Sequence, residues 1–101
     1  MADIKKEIDG TVMNISLCGM LDSKSAPQLR DMILESAADV SEINMDLAEL
    51  EYLTSAGLRA ILVGQQEMDD KDGKMTLKNV SKDILDIFRM TGFLKILTIE
   101  N

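Results

Sequence analysis

Three times along the chain, apolar residues at every second position give way within a few residues to apolar residues three or four apart. This change of period is the strongest constraint on the fold. Met13, Ile15 and Leu17 alternate with Asn14 and Ser16, then Leu29, Ile33 and Ala37 recur at helical spacing with Arg30, Asp31 and Glu35 between them. Ile43, Met45 and Leu47 alternate with Asn44 and Asp46, and are followed by Leu58, Ile61, Leu62 and Met68 on one helical side. Met75 and Leu77 alternate, and Ile84, Ile87 and Phe88 follow. A period of two reads as a half-buried strand and a period near 3.6 as an amphipathic helix.

Punctuation residues set the boundaries. Asp9-Gly10 lies between Ile4–Ile8 and Thr11–Cys18 and tolerates the positive φ of a tight turn, so the chain opens with a hairpin. Ser25 is placed as an N-cap and Pro27 in a first helical turn, which predicts a first helix over about 26–38. A strand ending near Leu47 leaves Leu50, Tyr52 and Leu53 on the approach to a helix from Ala56 to about Asp70. Asp72-Gly73 turns the chain, Ser81 caps the third helix, Gly92 stops it, and a last strand is expected over about Lys95 to Ile99.

Strands and helices joined by short loops predict an α/β domain with parallel neighbours after the hairpin, hence a mixed sheet. Because polar residues alternate into the strands, the helices are expected on one face, with the other partly open. At 101 residues and 46% hydrophobic composition, residues 1–101 are read as one domain.

Eighteen acidic against eleven basic residues give a net charge of −7, which repels a phosphate backbone and argues against nucleic-acid binding. No apolar run reaches the roughly 20 residues of a membrane span, and the start lacks an apolar signal region, so no membrane insertion and a cytoplasmic location are expected. The lone Cys18 has no disulfide partner and no histidine to activate it, and is expected as a small buried residue. No metal site, cofactor or catalytic group is expected. Ser55 lacks the Gly-x-Ser-x-Gly elbow and a histidine base, and Gly73-Lys74 lacks the upstream glycine of a phosphate loop, position 68 being Met.

The stretch MDLAELEYLTSAGLRAIL sets two hydroxyls, Thr54 and Ser55, at a helix entrance. One of them can cap the helix by accepting a bond from a backbone N–H, worth about 1 kcal/mol. The other use is phosphorylation, since an anion is tolerated where backbone N–H groups are unpaired. Asp46, Glu49 and Glu51 lie nearby in sequence, so a phosphate is expected to deepen a negative patch and repel a partner. Gly57 permits close backbone approach.

Asp46-Leu47, Leu50, Tyr52 and Thr54-Ser55-Ala56-Gly57-Leu58 resemble the signature of STAS domains, the module of sulphate transporters and bacterial anti-sigma factor antagonists. Gly19-Met20-Leu21-Asp22 with Ala26-Pro27-Gln28-Leu29 is similar to the family's first helix entry, and Asn79-Val80 with Thr91-Gly92-Phe93 to its final helix. The resemblance implies a STAS fold and a protein without catalysis of its own. It further implies that the unphosphorylated form binds an anti-sigma factor serine kinase, that phosphorylation of Ser55 releases it, and that a phosphoserine phosphatase resets it. Sigma-factor-dependent transcription is then regulated without contact with DNA. Asp22, Thr54, Ser55, Ala56, Gly57 and Leu58 are the partner-binding residues carried over, Asp22 matching an aspartate near the phosphorylation loop. The family commonly has an aspartate before the serine; here Thr54 stands there and is the second candidate acceptor. The alternative implied role is a soluble STAS subunit of a lipid-trafficking ABC-type transport complex without a phospho-switch.

Overall fold

The computed structural model describes residues 2–100. The chain opens with β1 (Ala2–Asp9) and β2 (Val12–Leu21), paired antiparallel across Gly10-Thr11, with Gly10 at φ 63°. Then follow α1 (Ala26–Ser36), a short 3-10 turn (Ala37–Asp39), β3 (Glu42–Leu53), α2 (Ser55–Asp70), β4 (Lys74–Lys78), α3 (Lys82–Thr91), a second 3-10 turn (Phe93–Lys95) and β5 (Ile99–Glu100). The sheet runs β1-β2-β3-β4-β5, with every pair after the hairpin parallel, and is therefore mixed.

The period-two residues form the core. Met13, Ile15 and Leu17 of β2, Ile43, Met45 and Leu47 of β3, and Met75 and Leu77 of β4 are buried. They join Leu29 and Ile33 of α1, Ile61 and Met68 of α2, and Ile84 and Phe88 of α3 in one cluster. Each such side chain contributes about 1.5–3 kcal/mol by leaving water. The alternate residues Asn14, Ser16, Asn44 and Asp46 lie outside this core, and Asn44 bonds to Asn14 at 3.2 Å across the open face. Ser81 caps α3 by accepting from the Ile84 N–H, and Gly92 ends it in the left-handed region at φ 81°.

Four expectations change. The third strand does not end near Leu47: β3 continues to Leu53 because two register shifts against β2 insert extra residues on its side. Each inserted residue breaks strict alternation, so Leu50 and Leu53 reach the core where a two-residue period would not place both. The first helix stops at Ser36 and tightens into the 3-10 turn. The last strand covers only Ile99–Glu100, because the Ile96 and Leu97 N–H groups bond back to the Phe93 carbonyl and leave Lys95 in a 3-10 turn. Cys18 is half-buried beside Glu49 on the open face, not in the core; partial burial first, and that carboxylate next, push its thiol up.

Candidate functional site

The ends of β2 and β3 lie side by side, Met20 against Tyr52 and Leu21 against Leu53, and each strand turns there into a helix. The two helix entrances are therefore neighbours. Their backbones are interlocked: the Thr54 N–H donates to the Leu21 carbonyl at 3.0 Å. A Cβ on Gly57 would stand 2.6 Å from that same oxygen and 3.0 Å from the Leu21 Cγ. Only glycine lets the first turn of α2 rest on the end of β2 without displacing it.

At the α2 entrance the two hydroxyls divide the work. Thr54 has extended backbone and its Oγ1 accepts from the Gly57 N–H at 3.4 Å, while its carbonyl accepts from Leu58. It is the cap, half-buried and committed. Ser55 is the first residue of α2; it is exposed, and its hydroxyl makes no hydrogen bond among the described residues. Ala56 is half-buried, and Gly57 and Leu58 are buried, so of these three only Ala56 offers side-chain surface to a partner. Gly57 and Leu58 shape the entrance from beneath.

At the α1 entrance the arrangement differs from the sequence expectation. Ser25 occupies the cap position of α1 but makes no side-chain cap bond. Instead the Asp22 carboxylate Oδ1 accepts from the Lys24 and Ser25 N–H groups and from the Ser25 hydroxyl, each at 3.0 Å. The Asp22 N–H in turn donates to Ser25 Oγ at 3.0 Å, and the Ala26 N–H to the Asp22 carbonyl at 2.8 Å. This is the reciprocity of a capping box, begun three residues early. The Ser25 N–H, followed by that of Lys24, holds the Asp22 carboxyl below the usual carboxylate range. Asp22 is thus neither a loose turn residue nor buried; it fixes the loop that lies against the α2 entrance.

The acidic patch expected around Ser55 sits largely elsewhere. Asp46 accepts from the Ala48 N–H at 2.9 Å and from Asn79 at 3.2 Å, and with Glu49 it lines a cavity of about 290 Å³ on the open sheet face. Two residues near the entrance were quoted in the family resemblance without being given a role in binding. Met20 and Tyr52, 44% and 50% exposed, form a cross-strand apolar pair immediately before Leu21 and Leu53. Their signal was available: each puts a large apolar side chain where the strand pattern calls for a polar one. Among the described residues no group of three or more Cys, Asp or Glu side chains could hold a metal ion. No helix is long and apolar enough to cross a membrane.

Comparison with known proteins places this geometry. The family model described as "Mlab, STAS domain" matches residues 4–98. The chain belongs to the STAS domain family. Within it, this STAS domain is 31% identical over 99 residues to the anti-sigma-B factor antagonist of Bacillus subtilis, covering 97% of this chain and 88% of that protein. It is also 31% identical over 99 residues to BtrV of Bordetella bronchiseptica, provisionally named an anti-sigma factor antagonist, over 94% of this chain and 82% of that protein. The fold matches the anti-sigma factor antagonist SpoIIAA in its unphosphorylated form with a TM-score of 0.82 at 20% identity, over 98% of this chain and 88% of that one. It also matches the phosphorylated form of Bacillus SpoIIAA with a TM-score of 0.80 at 22% identity, over 98% and 92%.

Proposed function

We propose that this STAS domain is an anti-sigma factor antagonist whose docking to a cognate anti-sigma serine kinase is switched off by phosphorylation of Ser55. The observation that carries the reading is the division of hydroxyls at the α2 entrance: Thr54 supplies the cap, and Ser55, exposed and unbonded, is left for chemistry. The names of both relatives at 31% identity support it. The domain contributes no catalysis; the kinase supplies ATP chemistry, and a phosphoserine phosphatase reverses it. Asp22, Ser55, Ala56 and the apolar pair Met20 and Tyr52 form the docking surface. A phosphate of −1.5 to −2 charges in its middle desolvates poorly and opposes a partner built to meet a neutral hydroxyl. The fold survives because Ser55 holds nothing else in place. Action is cytoplasmic, where sigma factors and their kinases meet.

The test uses the purified cognate kinase with wild type, Ser55→Ala and Ser55→Glu. Incorporation of phosphate into wild type at Ser55 and none into Ser55→Ala is expected, with Ser55→Ala retaining affinity and Ser55→Glu losing at least about tenfold, or 1.4 kcal/mol. Equal affinity of all three proteins would reject the switch. Capture of a permease and its ATPase by both variants would assign the domain to a transport complex instead.

A further inference from the structure

We propose that the Arg59 guanidinium pairs with the phosphate carried by phosphorylated Ser55, so that modification both adds an anion at the α2 entrance and withdraws a cation from the surface. The inference rests on the phosphorylation reading above and names the residue that completes it. Ser55 and Arg59 are four residues apart on α2, and residues at that spacing lie on one face a turn apart. Long helical side chains lean toward the helix N-terminus, which carries the Arg59 guanidinium over the turn from which Ser55 projects. An anion four residues before a cation is also the favourable order.

Arg59 is uncommitted. It is exposed and makes no ion pair or hydrogen bond among the described residues. The neighbouring Arg30 is already paired with Asp31 at 3.3 Å. Arg59 lines an open groove of about 240 Å³ between α1 and α2 together with Ser23, Ala26, Arg30, Ala56 and Val63, so its side chain is not packed into the core.

The charged groups of the flanking elements nearest the two entrances are Asp22 and Lys24 on the turn before α1, Asp31 on α1, and Glu51 near the end of β3; Glu35 lies in the last turn of α1, and Glu42, Asp46 and Glu49 lie earlier on β3. Asp22 is engaged by the Lys24 and Ser25 N–H groups, and Asp31 by Arg30. These two acids are already engaged, and among the described residues Glu51, though exposed, makes no ion pair with Arg59. A guanidinium offers a phosphate two parallel N–H bonds, which the point charge of Lys24 does not. Before phosphorylation Arg59 is available to an acidic group on a partner; afterwards it is held along its own helix.

The experiment is a phosphorus NMR titration of the full chain carrying phosphoserine installed at position 55 during translation. Wild type is compared with Arg59→Gln, Arg59→Lys and Lys24→Gln. A guanidinium beside the phosphate favours its dianion, so Arg59→Gln is expected to raise the midpoint of the second ionisation by about 0.4 pH units, the equivalent of one i,i+4 ion pair. Arg59→Lys should restore part of that change and Lys24→Gln should leave the midpoint in place. Identical midpoints in wild type and Arg59→Gln, or a larger change in Lys24→Gln, would overturn the proposal. Because the phosphate is installed without a kinase, an unmodified Ser55 in the kinase assay would reject the switch while leaving this pairing to be judged by its own result.

Discussion

Two serines stand at the two adjacent helix entrances of this domain, and they have opposite fates. Ser25 is 0% exposed and its hydroxyl is shared among the Asp22 N–H, the Asp22 carboxylate and the Met20 carbonyl. Ser55 is exposed and unbonded among the described residues. The residue type and local position are similar; the difference lies in which neighbour does the capping. At α1 the carboxylate of Asp22 caps the turn and draws Ser25 into its network. At α2 the neighbouring Thr54 caps alone and Ser55 is released. A hydroxyl available for modification is thus produced by giving the structural duty to the residue beside it.

The largest effect on this contrast should come from beneath it. Gly57→Ala forces a Cβ to within 2.6 Å of the Leu21 carbonyl, which must move, and the cost by urea denaturation is expected at about 2 kcal/mol. Ser25→Ala removes the buried hydroxyl that accepts from the Asp22 N–H and donates to its carboxylate, and should cost about 1–2 kcal/mol in the same assay. Thr54→Ala removes the α2 cap for about 1 kcal/mol, and if Ser55 took over the cap the loss would be smaller and the division of labour would not be strict.

Acid should act on the α1 entrance through Asp22. The Asp22 carboxyl is held below its unfolded range, so its stabilisation is fully present above the ordinary aspartate pKa of about 3.9 and is lost as pH falls through the depressed folded value. Asp22→Asn should lower stability at neutral pH and flatten the fall below about pH 4, measured as denaturation midpoints across that range. The smallest effect is Ser55→Ala, expected within about 0.5 kcal/mol of wild type. A larger loss would mean that Ser55 carries structure and would bring the two serines closer in role.

Much of this was readable in the residues. The period changes located all three helices, Asp9-Gly10 the hairpin, Ser81 and Gly92 the limits of α3, and Gly57 a close approach. These are properties of consecutive residues, and consecutive residues carry them. The bulges of β3 were not readable, because a register shift is a relation between two strands; the pattern of β3 makes sense only once Ser16 is seen opposite Asp46 and Cys18 opposite Glu49. The other two misses have local causes: Cys18 follows the core residue Leu17 and so falls on the opposite face by the alternation itself, and β5 is shortened by the bonds of the Ile96 and Leu97 N–H groups to the Phe93 carbonyl.

At the site itself, the sequence determined that two hydroxyls, a glycine and an apolar helix face follow one another at the end of a strand, and family resemblance gave them a meaning. Which hydroxyl caps and which is free, and that Met20 and Tyr52 stand together beside them, were decided by tertiary structure. Burial and hydrogen-bond partnership depend on what the neighbouring strand places against a residue, and here the Leu21 carbonyl at the end of β2 fixes the α2 entrance on which Ser55 is displayed.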